Sequence, residues 1–245
     1  MRYQFVDCRW ELGKPGRGRE VYLAGHVPGA SFLDVEGDLS GPPAVPGGRH
    51  PLPDVERFAA SASRAGIGPG VFVVAYDGGM DGGAARLWWL LRHLGHDDVA
   101  VLAGGIGAWQ GRLRSGEEEP PAGAFEPHER GGDTVAADEL VARLGSPGLV
   151  VVDARAPERY RGEVEPIDPV AGHIPGAVNV PYAEAGSRLP AAVLQADEIV
   201  VYCGSGITAC VDLLALAHAG RPDAKLYPGS WSDWASRGLP VETGG

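Results

Sequence analysis

The sequence contains few cysteines and no cysteine pattern that binds metal. Its 245 residues include three cysteines, Cys8, Cys203 and Cys210. Three are too few for a disulfide framework, and none stands in the Cys-x-x-Cys or Cys/His spacing that holds zinc. We therefore expect thiols outside disulfides, a reducing compartment and no bound metal.

Basic residues are also scarce. The chain has 21 lysines and arginines against 32 aspartates and glutamates, which gives a net charge of −11. Nucleic acid is excluded as the main partner, because phosphate binding needs a basic face. A small anionic substrate would have to be held by local arginines, since the unfavourable field of the whole molecule is screened beyond about 8 Å at physiological salt.

Long apolar runs are missing. No stretch approaches the roughly 18 residues that cross a membrane. The first residues, Met1-Arg2-Tyr3-Gln4, lead into a short strand-like run without the apolar core of a signal peptide. We expect no membrane contact and a cytoplasmic location. Apolar residues make up 44% of the chain, and its length suits one large or two small packed domains.

The most informative residue that is present is Cys203, which directly follows the apolar run Ile199-Val200-Val201-Tyr202. A thiol at the transition from a strand to a helix is a candidate nucleophile, because loop N–H groups and the positive end of the helix stabilise its thiolate. The expected active-site loop consists of Gly204, Ser205, Gly206, Ile207 and Thr208. This chemistry requires no metal and no cofactor.

The order of the motifs indicates an internal repeat of half the chain length. Val6-Asp7-Cys8-Arg9 in the first half corresponds to Val152-Asp153-Ala154-Arg155 in the second, and a Gly-His-x-Pro-Gly-Ala motif follows at 25–30 and at 172–177. The next shared position, after an apolar strand, is Asp77 in the first half and Cys203 in the second. Because a carboxylate cannot carry a transferred group as a thiolate does, we expect the first half to be catalytically silent.

The repeat divides the chain into two domains. We predict an N-terminal domain over 1–111, an acidic linker over 112–133 and a C-terminal domain over 134–245. Short β-branched runs alternate with helical patterns in each half, which predicts an α/β fold with a mostly parallel sheet flanked by helices. Predicted strands include 71–76, 99–102, 149–153, 199–202 and 224–227, and predicted helices include 84–94, 136–144 and 207–219. Ligands of such sheets bind at the carboxyl ends of the strands, where Asp77 and Cys203 both lie.

Motifs along nearly the whole chain resemble those of the tandem-domain rhodanese sulfurtransferases, the family of thiosulfate and 3-mercaptopyruvate sulfurtransferases. They are Asp7-Cys8-Arg9-Trp10, residues 26–32 with Asp34, residues 74–78, Arg86-Leu87-Trp88-Trp89, residues 172–177, the Cys203 loop and residues 229–234. The resemblance implies two rhodanese-like domains and a persulfide relay without a cofactor. In such a relay, the Cys203 thiolate takes a sulfane sulfur from a small anionic donor and passes it to an acceptor such as cyanide, a thiol or a thioredoxin-like protein.

The loop and the arginines indicate the donor within this resemblance. Gly204 and Ser205 are similar to the loop of mercaptopyruvate enzymes, whereas animal thiosulfate enzymes carry a basic pair there. Arg159 matches the first of two arginines that hold the carboxylate and keto oxygens of mercaptopyruvate, but no arginine stands at the second position, around Ile167-Asp168. Thiosulfate:cyanide sulfurtransferase activity therefore stays the alternative, because one guanidinium orients a carboxylate less well than two.

The resemblance also implies substrate contacts for Trp10 and His26. Trp10 matches an aromatic residue near the transferred sulfur. His26 and Ser205 match two members of a Ser-His-Asp relay, although no aspartate lies between Asp7 and His26. A structural role, in which the imidazole bonds the backbone of the Pro-Gly turn, is the alternative for His26 and the role that we expect for His173.

Other functions that use a reactive thiol fit the sequence less well. Cysteine phosphatases and arsenate reductases have a Cys-x5-Arg loop, and Ala209 stands here at the arginine position, so the phosphate-binding fork is missing. A noncatalytic sulfur carrier or redox-sensing module is the remaining alternative. We predict an enzyme, a sulfurtransferase that prefers 3-mercaptopyruvate as donor.

Overall fold

A computed structural model describes residues 2–79 and 81–245. It contains two compact units, one formed by residues 2–41 and 52–130 and the other by residues 42–51 and 131–245. The repeat in the sequence does not indicate that residues 42–51 belong with the second half. Residues 112–130, part of the predicted linker, group with the first unit, where the N–H of Gly123 donates to Ser63 O and that of His128 to Leu94 O.

The first unit is built on a four-stranded parallel sheet. In chain order its elements are β1 (Arg2–Asp7), α1 (Arg17–Ala24), β2 (Ser31–Phe32), α2 (Val55–Arg64), β3 (Val71–Tyr76), α3 (Gly83–His93), β4 (Val99–Val101) and a 3-10 helix at Gly105–Ala108. The strand order is β2-β1-β3-β4. Central β3 pairs with β1 from Val71 opposite Arg2 to Tyr76 opposite Asp7. Asp77, the residue after β3, therefore lies at the edge of the sheet formed by the carboxyl ends of the strands.

The second unit repeats this plan. Its elements are α4 (Ala137–Arg143), β5 (Leu149–Asp153), α5 (Pro157–Tyr160), β6 (Val178–Asn179), α6 (Tyr182–Ala185), α7 (Ala191–Leu194), β7 (Glu198–Tyr202), α8 (Ala209–His218), β8 (Lys225–Leu226) and α9 (Ser230–Ser236). The parallel sheet has the order β6-β5-β7-β8. Its core contains Ile174, Tyr202, Tyr227, Trp231 and Trp234, all at most 1% exposed. Cys203 follows the central strand β7, which pairs with β5 up to Asp153 opposite Tyr202.

The contacts of the two units repeat as closely as their strand orders. Tyr22 stacks on His26 and its hydroxyl donates to Ala30 O at 2.9 Å, while Tyr160 stacks on His173 and donates to Ala177 O at 2.7 Å. Each tyrosine thus fixes the Pro-Gly turn that follows its histidine. The equivalent Pro-Gly turn is therefore held in the same way in each unit.

The predicted fold class is confirmed, since two parallel sheets flanked by helices are present. The strands at 71–76 and 149–153 have the predicted bounds. Helix α8 begins at Ala209 and not at Ile207, because Ile207 and Thr208 remain in the loop that follows Cys203. Within the described part of the chain, no helix combines the length and the apolar character that crossing a membrane would require.

Candidate active site

Cys203 follows the carboxyl end of β7, and five residues separate it from the start of helix α8. Its side chain is buried, and the N–H of Gly206 donates to Sγ at 3.1 Å. Short loops between a strand and a helix N-terminus direct backbone N–H groups at a negative charge. The loop thus offers a donor to a thiolate or to a persulfide anion on Cys203.

The first residues of helix α9 hydrogen-bond the backbone of this loop. Ser230, the first residue of α9, accepts the N–H of Cys203 at 3.1 Å and donates to Tyr227 O at 3.0 Å. The next two amides bond the loop carbonyls, Trp231 N–H to Cys203 O and Ser232 N–H to Gly204 O, both at 2.9 Å. Ser230 adopts φ = 54°, a left-handed conformation that is costly for a residue with a side chain. These hydrogen bonds maintain it there.

The segment 42–51, which precedes the rest of the second unit by some eighty residues in sequence, packs on the same end of α9. The N–H of Gly47 donates to Asp233 Oδ1 at 2.8 Å, and that of Arg49 to Ser232 Oγ at 3.0 Å. Gly48 has φ = +81°, and a Cβ placed on it would lie 2.5 Å from Gly229 O. Only glycine fits this close approach, which brings Arg49 and His50 to the Cys203 loop.

The imidazole beside Ser205 is that of His50, a residue that no motif in the sequence singles out. His50 Nδ1 and Ser205 Oγ lie 2.7 Å apart, and both residues are buried. A hydrogen-bonded hydroxyl and imidazole next to a thiol can relay a proton. The sequence instead points to His26 for this relay, because His26 belongs to a family motif, whereas His50 lies in a proline- and glycine-rich stretch without periodicity.

His26 lies in the first unit, in the same environment as His173 in the second. Each imidazole stacks on a tyrosine and has Nδ1 at hydrogen-bond distance from that tyrosine's backbone oxygen, at 2.8 Å from Tyr22 O for His26 and 2.7 Å from Tyr160 O for His173. Both are at most 3% exposed. This repetition favours the structural role for both histidines. A substrate contact of His26 stays a prediction.

Two guanidinium groups border the loop at Gly204. The nitrogens Nη1 and Nη2 of Arg159 lie 3.5 and 3.7 Å from the point that a Cβ on Gly204 would occupy. Nη2 of Arg49 lies 3.4 Å from Gly204 O. The position expected for a second arginine, around 167–168, holds none. Arg49 places a guanidinium at the loop from another part of the chain.

Buried carboxylates pair with these arginines. Glu165 accepts from Arg159 Nη2 at 2.7 Å and from Nε at 3.1 Å, and Asp168 pairs with Arg159 at 3.4 Å and with Arg49 at a shorter distance. Glu163, which is nearer to Arg159 in sequence, pairs with Arg161 instead. Burial alone would raise the pKa of Glu165, but the Arg159 guanidinium and two backbone N–H groups hold it below its ordinary value.

Arg155 anchors Glu165 in turn. Its guanidinium bonds Asp153 at 2.6 Å, Glu165 at 3.2 Å and the carbonyl of Gly172 at 2.7 Å, and it lies 4.5 Å from the ring centre of Trp231. Arg155 is 2% exposed. A buried charge is tolerated when it is paired and hydrogen-bonded in this way. Arg155 therefore ties the arginine and carboxylate cluster to the sheet.

A cavity opens next to this cluster within the second unit. Its volume is ≈ 330 Å³. Pro43, Ala44, Val45, Gly48, Arg49, Asp168, Pro169, Ser232 and Ser236 line it. Arg49 and Asp168 are the charged residues among them, so a ligand in this cavity would meet these two charges and otherwise mostly small or apolar residues.

The corresponding loop of the first unit has no thiol. The Asp77 carboxylate accepts the N–H of Gly79 at 2.7 Å and that of Ala84, in the first turn of α3, at 3.1 Å. Trp10, the aromatic residue expected near the transferred sulfur, donates its indole N–H to Asp81 O at 2.9 Å in this unit. A substrate contact of Trp10 stays a prediction. Within residues 2–79 and 81–245, no cluster of three or more His, Cys, Asp or Glu side chains is arranged to hold a metal ion.

A duplicated parallel four-stranded sheet, with a cysteine loop at the end of the central strand of one copy, defines a two-domain α/β protein of a known class. The sequence matches the Rhodanese-like domain twice, over residues 2–112 and 136–237. The chain belongs to the rhodanese family. The first match ends and the second begins within the predicted linker or close to it.

Individual relatives span almost the whole chain. A Pseudomonas aeruginosa protein that carries the name of a probable 3-mercaptopyruvate sulfurtransferase is 45% identical over 260 residues, 98% of this chain and 92% of that protein. A Mycobacterium tuberculosis protein that carries the name of a thiosulfate sulfurtransferase, SseB, is 41% identical over 94% of this chain and 87% of that protein. The crystal structure of the Escherichia coli 3-mercaptopyruvate sulfurtransferase SseA has a TM-score of 0.78 and 35% identity, with 94% of this chain and 93% of that chain covered.

Proposed function

We propose that the protein is a sulfurtransferase that takes sulfur from 3-mercaptopyruvate and carries it as a persulfide on Cys203. The observation that carries this proposal is the grouping of Cys203 with the N–H of Gly206 on its sulfur, the hydrogen-bonded His50 and Ser205, and the guanidinium groups at Gly204. The names of the Pseudomonas aeruginosa and Escherichia coli relatives support the same donor.

The first half-reaction transfers sulfur to the enzyme. The Cys203 thiolate attacks the donor sulfur, an S–S bond forms, and the C–S bond breaks with its electron pair going to C3 of the donor. The proton of the donor thiol passes through Ser205 and His50 to that carbon, which gives pyruvate and leaves the persulfide as an anion. Arg159 and Arg49 hold the carboxylate and keto oxygens of the donor. Cys203 and mercaptopyruvate thus give the Cys203 persulfide and pyruvate.

The second half-reaction returns the thiol. A thiolate or cyanide attacks the outer sulfur of the persulfide, and the S–S bond breaks with its electron pair returning to Cys203. The acceptor must therefore be a soft nucleophile, such as cyanide or a thiol. The N–H of Gly206 stabilises the Cys203 thiolate that this step returns.

Thiosulfate is the second candidate donor. The two guanidinium groups at Gly204 suit a sulfonate as well as a carboxylate, and the Mycobacterium tuberculosis relative carries the name of a thiosulfate sulfurtransferase. In this reaction the Cys203 thiolate attacks the outer sulfur of thiosulfate, a new S–S bond forms on Cys203, and the S–S bond of thiosulfate breaks as sulfite leaves with its electron pair.

The replacement Cys203→Ser tests the function. We expect it to abolish sulfur transfer to cyanide from both donors and to prevent the protein from gaining the mass of one sulfur atom on incubation with donor. Cys8→Ser is the matched control, because Cys8 is also buried but lies in the first unit, and it should retain transfer. Transfer by the Cys203→Ser protein at the unmodified rate would exclude the persulfide mechanism.

A further inference from the structure

We infer that Asp168 is a specificity-determining residue that makes the anion site favour donors of charge −1 over donors of charge −2. The inference rests on the proposed function, since it concerns the donor of the same reaction. It starts from the position of Asp168, a side chain that is 4% exposed between the two arginines of the site and pairs with both. A substrate group that binds both guanidinium groups therefore lies near this carboxylate.

Asp168 is fixed in place from several sides. Its oxygens accept from Arg49 Nη1 and Nη2, the latter at 3.3 Å, and from Arg159 Nη2 at 3.4 Å. Its backbone N–H donates to Glu165 Oε1 at 3.2 Å, and so does that of Ile167 at 3.1 Å. The turn from 165 to 168 therefore holds the Asp168 carboxylate against the arginines.

The charges around the site cancel. Three guanidinium groups, those of Arg49, Arg155 and Arg159, face three carboxylates, those of Asp153, Glu165 and Asp168. Asp153 is bound to Arg155, and Glu165 is shared between Arg155, at 3.2 Å, and Arg159, at 2.7 Å. Of these three carboxylates, Asp168 is the one that pairs with both arginines bordering Gly204.

The repulsion between the Asp168 carboxylate and a bound donor depends on the charge of the donor. Coulomb energy is proportional to the product of the charges, so Asp168 opposes a dianion about twice as strongly as a monoanion at the same place. 3-Mercaptopyruvate carries one negative charge when its thiol is protonated, and thiosulfate carries two. Asp168 therefore selects against thiosulfate by charge, although the loop and the arginines can accommodate either anion.

Two donors that share their chemistry isolate the effect of charge. Thiosulfate and methanethiosulfonate both give a sulfane sulfur to a thiolate, with an S–S bond formed and an S–S bond broken, and they release sulfite and methanesulfinate respectively. The first is a dianion and the second a monoanion. The experiment measures kcat/KM for both donors, with cyanide as acceptor, in the full-length protein and in Asp168→Asn.

We expect Asp168→Asn to raise kcat/KM for both donors, and the logarithm of the gain for thiosulfate to be about twice that for methanethiosulfonate. A gain of about threefold for the monoanion would accompany one of about ninefold for the dianion. Asp168→Glu is the matched control, because it retains the charge, and its ratio of the two kcat/KM values should stay at that of the unmodified protein. Asp168→Ala is a second uncharged variant for the case in which the asparagine protein does not fold.

Equal changes for the two donors in both uncharged variants would overturn the inference and assign to Asp168 only the holding of Arg49 and Arg159. A ratio that shifts as far in Asp168→Glu as in Asp168→Asn would overturn it as well. Failure of the proposed function is a separate result, because the unmodified protein would then form no Cys203 persulfide with either donor.

Discussion

Asp212 is a buried carboxyl that the proposed mechanism does not use. It lies in the first turn of α8 and is fully buried, and neither of its oxygens has a hydrogen-bond partner among the described residues. Burial, and next the charges of Cys203 and Asp153, raise the pKa of Asp212 well above its ordinary value. A neutral acid behind the nucleophile avoids placing a second negative charge next to the thiolate.

The raised pKa of Asp212 fixes the direction of its effect on stability. An unfolded chain loses this proton near pH 3.9, whereas the folded protein retains it to higher pH. Between the two values the folded state binds more protons, so the free energy of unfolding falls as pH rises. Replacement of Asp212 by an apolar residue removes the fall in the free energy of unfolding at higher pH, and it also removes the buried carboxyl that has no hydrogen-bond partner among the described residues.

We expect Asp212→Val to unfold with a free energy about 1–3 kcal/mol above that of the unmodified protein at pH 8, and with a smaller gain at pH 5. Urea unfolding at the two pH values measures the difference. Glu119→Gln, at an exposed carboxylate, is the control and should change stability little at either pH. A lower stability of Asp212→Val at pH 8 would show that the carboxyl is ionised and paired in the folded protein.

At the level of elements, the active site depends on how three segments meet. The Cys203 loop, the start of α9 and the segment 42–51 are joined by backbone N–H groups that donate to Ser232 and Asp233 and to the loop carbonyls. Gly48 occupies the closest approach, with a positive φ and Gly229 O where a Cβ would project. A side chain at this position must displace the segment that carries Arg49 and His50.

We expect Gly48→Ala to lower kcat/KM for sulfur transfer roughly tenfold to hundredfold, because it moves Arg49 and His50 away from the loop. Gly70→Ala is the matched control, since Gly70 also has a positive φ, of +73°, but a Cβ added to it would meet no atom within 4 Å, and it lies in the first unit. Both replacements introduce a side chain at a positive φ, but Gly48→Ala should lose more stability in a denaturation experiment, because it adds a clash with Gly229 O. Unchanged kinetics in Gly48→Ala would mean that the position of the segment does not matter for transfer.

The same elements show how far the sequence could predict the site. Cys203 and its loop were predictable because a strand, a glycine-rich loop and a helix follow one another directly. Arg49 and His50 were not, because their contacts with the loop cross more than 150 positions in a segment without periodicity. A signal was nevertheless present. The interval from the motif histidine to the tyrosine that ends the central strand is fifty positions in the first repeat, from His26 to Tyr76. The equivalent interval, from His173 to Tyr202, is twenty-nine positions in the second repeat. The longer interval of the first repeat contains residues 42–51.

At the level of the whole molecule, the two repeats share their scaffold and differ in their chemistry. Tyr22 and His26 are four positions apart, whereas the equivalent Tyr160 and His173 are thirteen apart. The nine additional residues of the second repeat form the turn that carries Glu165 and Asp168. The residue before the tyrosine is Val21 in the first repeat and Arg159 in the second. The first repeat thus lacks the charged cluster as well as the thiol.

This comparison predicts that a thiol alone does not restore activity in the first repeat. In the double variant Asp77→Cys with Cys203→Ser, a cysteine would follow β3 as Cys203 follows β7, but Val21 would stand where Arg159 stands and no carboxylate turn would accompany it. We expect sulfur transfer from 3-mercaptopyruvate to stay at the level of the Cys203→Ser protein.

Two measurements check this expectation. Thiocyanate formation from donor and cyanide reports turnover, and the mass of the intact protein reports any persulfide on the new cysteine. The thiol of Asp77→Cys would replace a carboxylate that accepts two backbone N–H groups, so a denaturation experiment must first show that the double variant is folded. Turnover above that of Cys203→Ser would then mean that a loop after the central strand suffices for catalysis and that the arginine and carboxylate cluster only refines it.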